Sequence, residues 1–273
     1  MMQSDLIPFT VRRDDGLVPN EIAQGGWGPT LGGQVVGGLL ARGIEQHVTD
    51  DDLVPARFTV DILRRVATAP VRVSANVVRT GRRMQSVDAT MTQDGEVVAR
   101  ASALYLRRSA QPDGQIWTTP LAMPPLPVEP ARFSNDLPMF ITAYGRDTTD
   151  GTAANAWQHD GPRFAWLREV RALVDGEEMS AFVRAAMAVD VTSSMANFST
   201  TGLAFINADY TLTLSRLPEG PYIGLAALTH YSDAGIATGT ASLFDARGPI
   251  GSGTSTAVAN LHFLTGKFAD RPR

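Results

Sequence analysis

The chain contains no cysteine, which excludes disulfides, thiolate nucleophiles and cysteine-bound zinc. Nor is there any surplus of basic charge: 24 Lys and Arg against 28 Asp and Glu leave a net charge of -4. The pairs Arg12-Arg13, Arg64-Arg65, Arg82-Arg83 and Arg107-Arg108 are isolated and read as solvated strand ends. No nucleic-acid partner is expected from such a balance. No stretch reaches the roughly 18 consecutive apolar residues that a membrane span needs. The opening residues, MMQSDLIPFTVRRDDG, lack the apolar core of a signal peptide. No membrane partner and a cytoplasmic location are therefore the expectations. Histidine is scarce, and His47, His159, His230 and His262 are too scattered for a His-x-x-x-His or His-Glu-x-x-His pattern, so no metal is expected. A Gly-x-Ser-x-Gly elbow is missing as well, since Gly251-Ser252-Gly253 has the wrong spacing. The stretch from Gly248 to Gly253 carries no dinucleotide fingerprint, and no cofactor is expected.

What is present is a globular composition. The 273 residues are 44% hydrophobic and 19% charged, enough for one large domain or two of ordinary size. Proline divides them. Pro112, Pro120, Pro124, Pro125, Pro127, Pro130 and Pro138 fall within one short segment. Each removes a backbone donor, so that segment can be neither a helix nor a central strand. The implied organisation is an N-terminal module at 1–109, a connector at 110–138 and a C-terminal module at 139–273.

Before the connector the spacing predicts a helix over 31–48, with Val36, Leu39, Leu40 and Ile44 on one face and Thr30 as N-cap. Strands are predicted at 57–66, 71–79, 84–93 and 96–107. Val71, Val73, Ala75 and Val77 alternate with Arg72, Ser74 and Asn76, the period of a half-buried strand. Asp94-Gly95 signals a type I′ hairpin, because both central positions need positive φ. After the connector the order recurs: a strand at 163–174, a helix at 177–190, a turn-like stretch at 191–194, then strands at 205–215, 222–231, 236–244 and 250–263. Aligning Ala246-Arg247-Gly248 with Asp94-Gly95 also brings Ser232-Asp233 onto Thr80-Gly81, an offset of about 152 residues. A repeat of this length is a duplicated domain. One helix followed by four consecutive strands suggests a sheet wrapped round the helix. Gly37, Gly38 and Gly43, each costing about 1 kcal/mol in a helix interior, fit a sheet that approaches the helix backbone closely.

Three stretches carry a family resemblance: Leu31-Gly32-Gly33-Gln34-Val35-Val36-Gly37, Ala185-Ala186-Met187-Ala188-Val189-Asp190 and Phe205-Ile206-Asn207-Ala208-Asp209-Tyr210-Thr211-Leu212. On these the chain, from about Gly25 to Leu264, resembles the double-hotdog acyl-CoA thioesterases. These are the bacterial type II enzymes and their actinobacterial relatives. The resemblance implies an α+β fold of two tandem hotdogs, an acyl-CoA substrate in fatty acid metabolism, and further pairing into a homodimer or higher homo-oligomer. In that family an aspartate, a threonine and a glutamine of the second hotdog carry hydrolysis. By position Asp190 matches the aspartate, Asn207 stands where the threonine would be, and Ser255 (or its neighbours Thr254 and Thr256) stands where the glutamine would be. The two departures leave a non-catalytic acyl-CoA or lipid-binding hotdog protein as the alternative. Hotdog hydratases carry an aspartate five positions before a histidine, and no such pair exists here.

The residues suit the chemistry that the resemblance implies. Thioester hydrolysis requires a water, a group to deprotonate it, and donors for the developing oxyanion. Ala185 to Val189 offer Asp190 no polar neighbour, and desolvation lifts a carboxyl pKa toward the working range. Asn207 and Ser255 have the capacity to fix the water. Gly32, Gly33 and Gln34 open the first helix, where free amides and the positive dipole end suit the carbonyl oxygen. Trp27 precedes that helix and is placed to wall an acyl groove.

Overall fold

The computed structural model describes residues 6–147, 149, 151 and 157–260. Strands β1 (Thr10–Arg13) and β2 (Gly16–Pro19) form an N-terminal hairpin, followed by helix α1 (Gly33–Glu45). Next come β3 (Leu53–Ile62), β4 (Arg72–Thr80), β5 (Met84–Gln93) and β6 (Glu96–Arg107). Beyond the prolines lie β7 (Phe140–Tyr144), β8 (Arg163–Arg168), α2 (Ala181–Ala188), α3 (Val191–Asn197) and a two-residue pair, β9 (Phe198–Ser199) and β10 (Gly202–Leu203). Strands β11 (Phe205–Leu214), β12 (Tyr222–Asp233), β13 (Ile236–Asp245) and β14 (Gly248–Ala259) come last. Positions 261–263 of the expected final strand lie outside the described residues, as do His262 and the end of the family resemblance at Leu264.

One antiparallel sheet of ten strands holds the chain together, in the order β4-β5-β6-β3-β11-β14-β13-β12-β8-β7. Outward from the β3–β11 junction, both sides run in the same sense: the strand after the helix, then the last, third and second of its set. Three of the four strand pairs shift by 152 positions, from 53 to 205 for β3 and β11, 84 to 236 for β5 and β13, and 96 to 248 for β6 and β14, while β4 and β12 start 150 apart. At the junction Thr59 and Thr211, themselves 152 apart, face one another and share a hydroxyl hydrogen bond of 2.9 Å. The Asp94-Gly95 turn has φ of 49° and 82°, as a type I′ hairpin demands. Ala234 and Gly235, at 48° and 81°, make a second such turn between β12 and β13.

Helix α1 is shorter than its periodicity predicts. Thr30 does not cap it, because the carbonyl of Thr30 accepts from Gly25 and the amide of Leu31 donates to Val66, which holds both residues extended. Gly32 is the N-cap, without a side-chain hydrogen bond. Val35, Val36, Leu39, Leu40 and Ile44 are buried, each worth about 1.5–3 kcal/mol for the larger side chains. The helix packs on β4, β5 and β6 on one side and against α2 on the other. Its glycines answer both neighbours, so close approach of the sheet is only part of their explanation. A Cβ at Gly43 would lie 2.7 Å from Val73 Cγ1 on β4, whereas one at Gly38 would lie 2.7 Å from Met187 Cγ on α2. At Gly37 it would sit 1.8 Å from the Tyr210 hydroxyl on β11. Gly37→Ala is therefore expected to lower stability by about 1–3 kcal/mol through overpacking. A reduced urea midpoint at unchanged slope would register it.

The connector has no helix or strand from 108 to 138. It is pinned to the second half rather than simply spanning the gap. Trp166 Nε1 donates to the Pro124 carbonyl at 2.9 Å and the Tyr144 hydroxyl to the Pro125 carbonyl at 3.0 Å. Leu121 and Met123 cover an aromatic cluster of Tyr144, Trp166, Tyr222 and Phe244. Buried Arg171 closes the connector's end, donating to the carbonyls of Asn135, Leu137 and Pro138 and to that of Ile7 near the N-terminus. A charge is tolerated there because each guanidinium nitrogen finds an acceptor. No helix among the described residues is long and apolar enough to cross a membrane.

Candidate active site

The helix expected over 177–190 is shorter than its periodicity predicts, and a second helix follows it directly. Helix α2 starts at Ala181, capped by the Ser180 hydroxyl, which accepts from Val183 N–H at 3.1 Å. It ends at Ala188, and α3 begins three residues later. Between them Thr192 N–H donates to Val189 and Ser193 N–H to Asp190, i→i+3 bonds that tighten the chain locally. The stretch 191–194 that reads as a turn is therefore helical. Its hydroxyls do not break the helix, because α3 lies against β11, β12, β13 and β14 and buries Thr192 and Ser193.

Asp190 sits in this break and faces the first turn of α1 from the other half. A Cβ at Gly33 would lie 2.2 Å from Asp190 Oδ1, so only glycine leaves room for the carboxylate. Asn207 Nδ2 donates to Asp190 Oδ1 at 3.0 Å. Protein packs closely round the carboxyl group, and that burial raises its pKa to about 6, against the lowering effects of Asn207 and the Gln34 backbone amide. Asp245 makes the contrast. It is more deeply buried, yet Arg216 and the amides of Glu219 and Arg247 overcome the desolvation and hold it down at about 2. Asp190 has no such cation among the described residues.

Asn207 reaches Asp190 because β11 is irregular. Its register with β14 slips between Asn207 and Asp209, and the Thr256 amide and hydroxyl are taken up by Asp209 Oδ1 at 2.6 and 2.7 Å. The extra residue lets Asn207 and Tyr210 face the same side. Tyr210 is a site residue that the sequence reading missed. Fully buried, it donates its hydroxyl to the Gly33 carbonyl at 3.0 Å and so braces the turn of α1 that meets Asp190.

Ser255 lies on β14 opposite Tyr210, buried, with no hydrogen-bond partner for its hydroxyl among the described residues and no bond to Asp190 or Asn207. Its neighbours Thr254 and Thr256 point outward and are exposed. Gly32 and Gly33 do not leave the helix end bare, as their lack of side chains suggests. Asp190 occupies the space beside Gly33, and the Gln34 side-chain amide folds over Gly32, where a Cβ would come within 2.4 Å of Oε1. Trp27 is half-buried in the loop closed by the Gly25–Thr30 hydrogen bond. Neither of two cavities, of about 360 and about 40 Å³, includes Asp190. The site is shallow, with Gly33, Gln34, Asp190 and Asn207 each partly exposed.

The site thus joins residues from α1, the α2–α3 break and β11, and two family profiles each take in part of it. The profile of the acyl-CoA thioesterase N-terminal domain matches residues 23–106, which include Gly33, and that of the C-terminal domain matches residues 120–259, which include Asp190 and Asn207. The chain belongs to the acyl-CoA thioesterase family. Thioester hydrolysis is accordingly its class of reaction. Solved structures similar to this thioesterase include a putative thioesterase II from Thermobifida fusca, 15% identical with a TM-score of 0.68, over 92% of this chain and 95% of that one. An acyl-CoA thioesterase II from Mycobacterium marinum is 17% identical with a TM-score of 0.63, over 87% and 91%. A protein with a hot dog fold from Alicyclobacillus acidocaldarius is 19% identical with a TM-score of 0.66, over 88% and 90%. At these identities the likeness speaks for the fold, an α+β hotdog-type sheet packed on helices. No curated protein matches the sequence.

Proposed function

We propose that this thioesterase hydrolyses a fatty acyl-CoA by direct attack of water, with Asp190 as the general base. The fold behind the proposal is two tandem hotdogs, 1–109 and 139–273, each an antiparallel sheet wrapped round a helix, with 110–138 as connector. The shared strand order and the offset of 152 in three of the four strand pairs support that reading. The observation that carries the chemistry is the Asp190 carboxylate, lifted toward neutral pKa against the N-terminus of α1. Asn207 holds one carboxylate oxygen and so orients the other toward water. Water oxygen bonds to the thioester carbon as its proton passes to Asp190. The resulting oxyanion is stabilised by the positive dipole end of α1 near Gly32, Gly33 and Gln34, since the Gly32 and Gln34 amides are themselves engaged by Ala23 and Asp190, and Trp27 stands beside the acyl chain. The C–S bond then breaks, coenzyme A leaves as thiolate, and the proton held on Asp190 neutralises it. Ser255, its hydroxyl without a partner among the described residues and opposite Tyr210 on the neighbouring strand, is the third polar group of this reading. A homodimer or larger homo-oligomer belongs to the same reading, since β4 and β7 end the sheet as edges.

The base must be ionised, so kcat/KM is expected to fall about tenfold per pH unit below about pH 6 and to level off above it. A flat profile from pH 5 to 8 would remove Asp190 from the role. The broader test is a panel of acyl-CoAs of increasing chain length, read by release of free thiol. Turnover of at least one member is expected, and folded protein that binds acyl-CoA without turnover would favour a binding module.

A further inference from the structure

Three strands away from Tyr210, the same face of the sheet carries a second hydrogen-bonded constellation. The register places Tyr210, Ser255, Gly239 and His230 in one row across β11, β14, β13 and β12. Three interstrand spacings of about 4.8 Å put His230 roughly 14 Å from Tyr210. His230 Nε2 lies 2.9 Å from Ser232 Oγ, and Nδ1 lies 2.9 Å from Asn197 Oδ1. Asn197, buried at the end of α3, turns its Nδ2 to Ser193 Oγ at 3.4 Å, which leaves Oδ1 for the histidine. An amide oxygen accepts and does not donate, so Nδ1 carries the proton and Nε2 presents its lone pair to the serine hydroxyl.

We propose that Ser232, His230 and Asn197 form a second, serine-dependent acyl-transfer site, with small carboxylic esters as substrates. The polarity is that of a nucleophile, its base and a group that orients the base. Ser232 and His230 are two apart on one strand, and both are exposed. Beyond Ala227, β12 has no strand on the β8 side among the described residues, so its edge amides there are available to an oxyanion. The Phe205 ring, edge-on to His230 with centroids 5.9 Å apart, gives a short acyl group an apolar wall. Ser232 Oγ bonds to the ester carbon while its proton passes to His230 Nε2. The C–O bond breaks, the alcohol leaves with that proton, and water then releases the acid from the acyl-serine with His230 again as base. None of these residues touches Asp190, so the two activities are separable.

The test is labelling of the full chain with a fluorophosphonate, together with hydrolysis of p-nitrophenyl acetate. Peptide mass spectrometry should place the adduct on Ser232, with fluoride displaced. Ser232→Ala should abolish label and esterase activity while acyl-CoA hydrolysis is unchanged, and Asp190→Asn should do the reverse. His230→Gln should slow labelling at least tenfold. Asn197→Ala should slow it as well and Asn197→Asp should restore it, which a packing role alone would not produce. An adduct on another residue, or label that survives in Ser232→Ala, overturns the proposal.

Discussion

Replacing Asp190 with asparagine is expected to lower kcat for acyl-CoA hydrolysis by about 10²–10⁴-fold, the span usually lost with a positioned general base. The amide keeps the size of the carboxyl group and its contact with Gly33, but it cannot take a proton from water. Stability should move the other way. Folding raises the Asp190 pKa from its ordinary 3.8 to about 6, so the folded state binds that proton more tightly than the unfolded chain. The associated stabilisation is complete below about pH 4 and is lost as pH rises through 6. At pH 7 the desolvated charge of this partly exposed carboxylate opposes folding, and Asp190→Asn removes it. Its thermal midpoint at pH 7 should therefore equal or exceed that of the parent, while at pH 4 the advantage disappears. A variant that is inactive only because it is unfolded would fail this comparison.

Gly33→Ala is expected to cost about 10²-fold in kcat, through position rather than chemistry. The added methyl would stand 2.2 Å from Asp190 Oδ1 and 2.7 Å from its Cγ, so the carboxylate must move. A displacement near 1 Å at a reacting group is worth about that factor. Alanine is a better helix former than glycine by about 1 kcal/mol, which offsets part of the clash and keeps the protein folded. Because both changes act on the same carboxylate, their effects should not add. The double variant should be no slower than Asp190→Asn alone, and steady-state rates of the four proteins in the cycle check this.

Local periodicity made most of the sheet legible. Strands β5 and β6 fall at the residues that alternation and Asp94-Gly95 indicate, and the offset of 152 follows from two turn sequences alone. Asp190 was legible as a carboxyl at the end of an apolar run. What was not legible depends on contacts distant in sequence. Strict alternation along β11 would put Asn207 and Tyr210 on opposite faces, and only the register slip beside Asp209 brings them together. The break after Ala188 has no glycine or proline to announce it. Gly33 reads as an open helix end until a residue 157 positions later in the chain fills the space beside it. Likewise Gly38 is explained by Met187, which no pattern within α1 could supply.

Single turnover in H₂¹⁸O, with enzyme in excess over acyl-CoA, tests the attack of water beside Asp190 most directly. The fatty acid from the first turnover should carry one solvent oxygen, and the protein should carry none at Asp190. Unlabelled acid in that turnover, with ¹⁸O appearing in the carboxyl of Asp190, would make the aspartate a nucleophile and contradict the account.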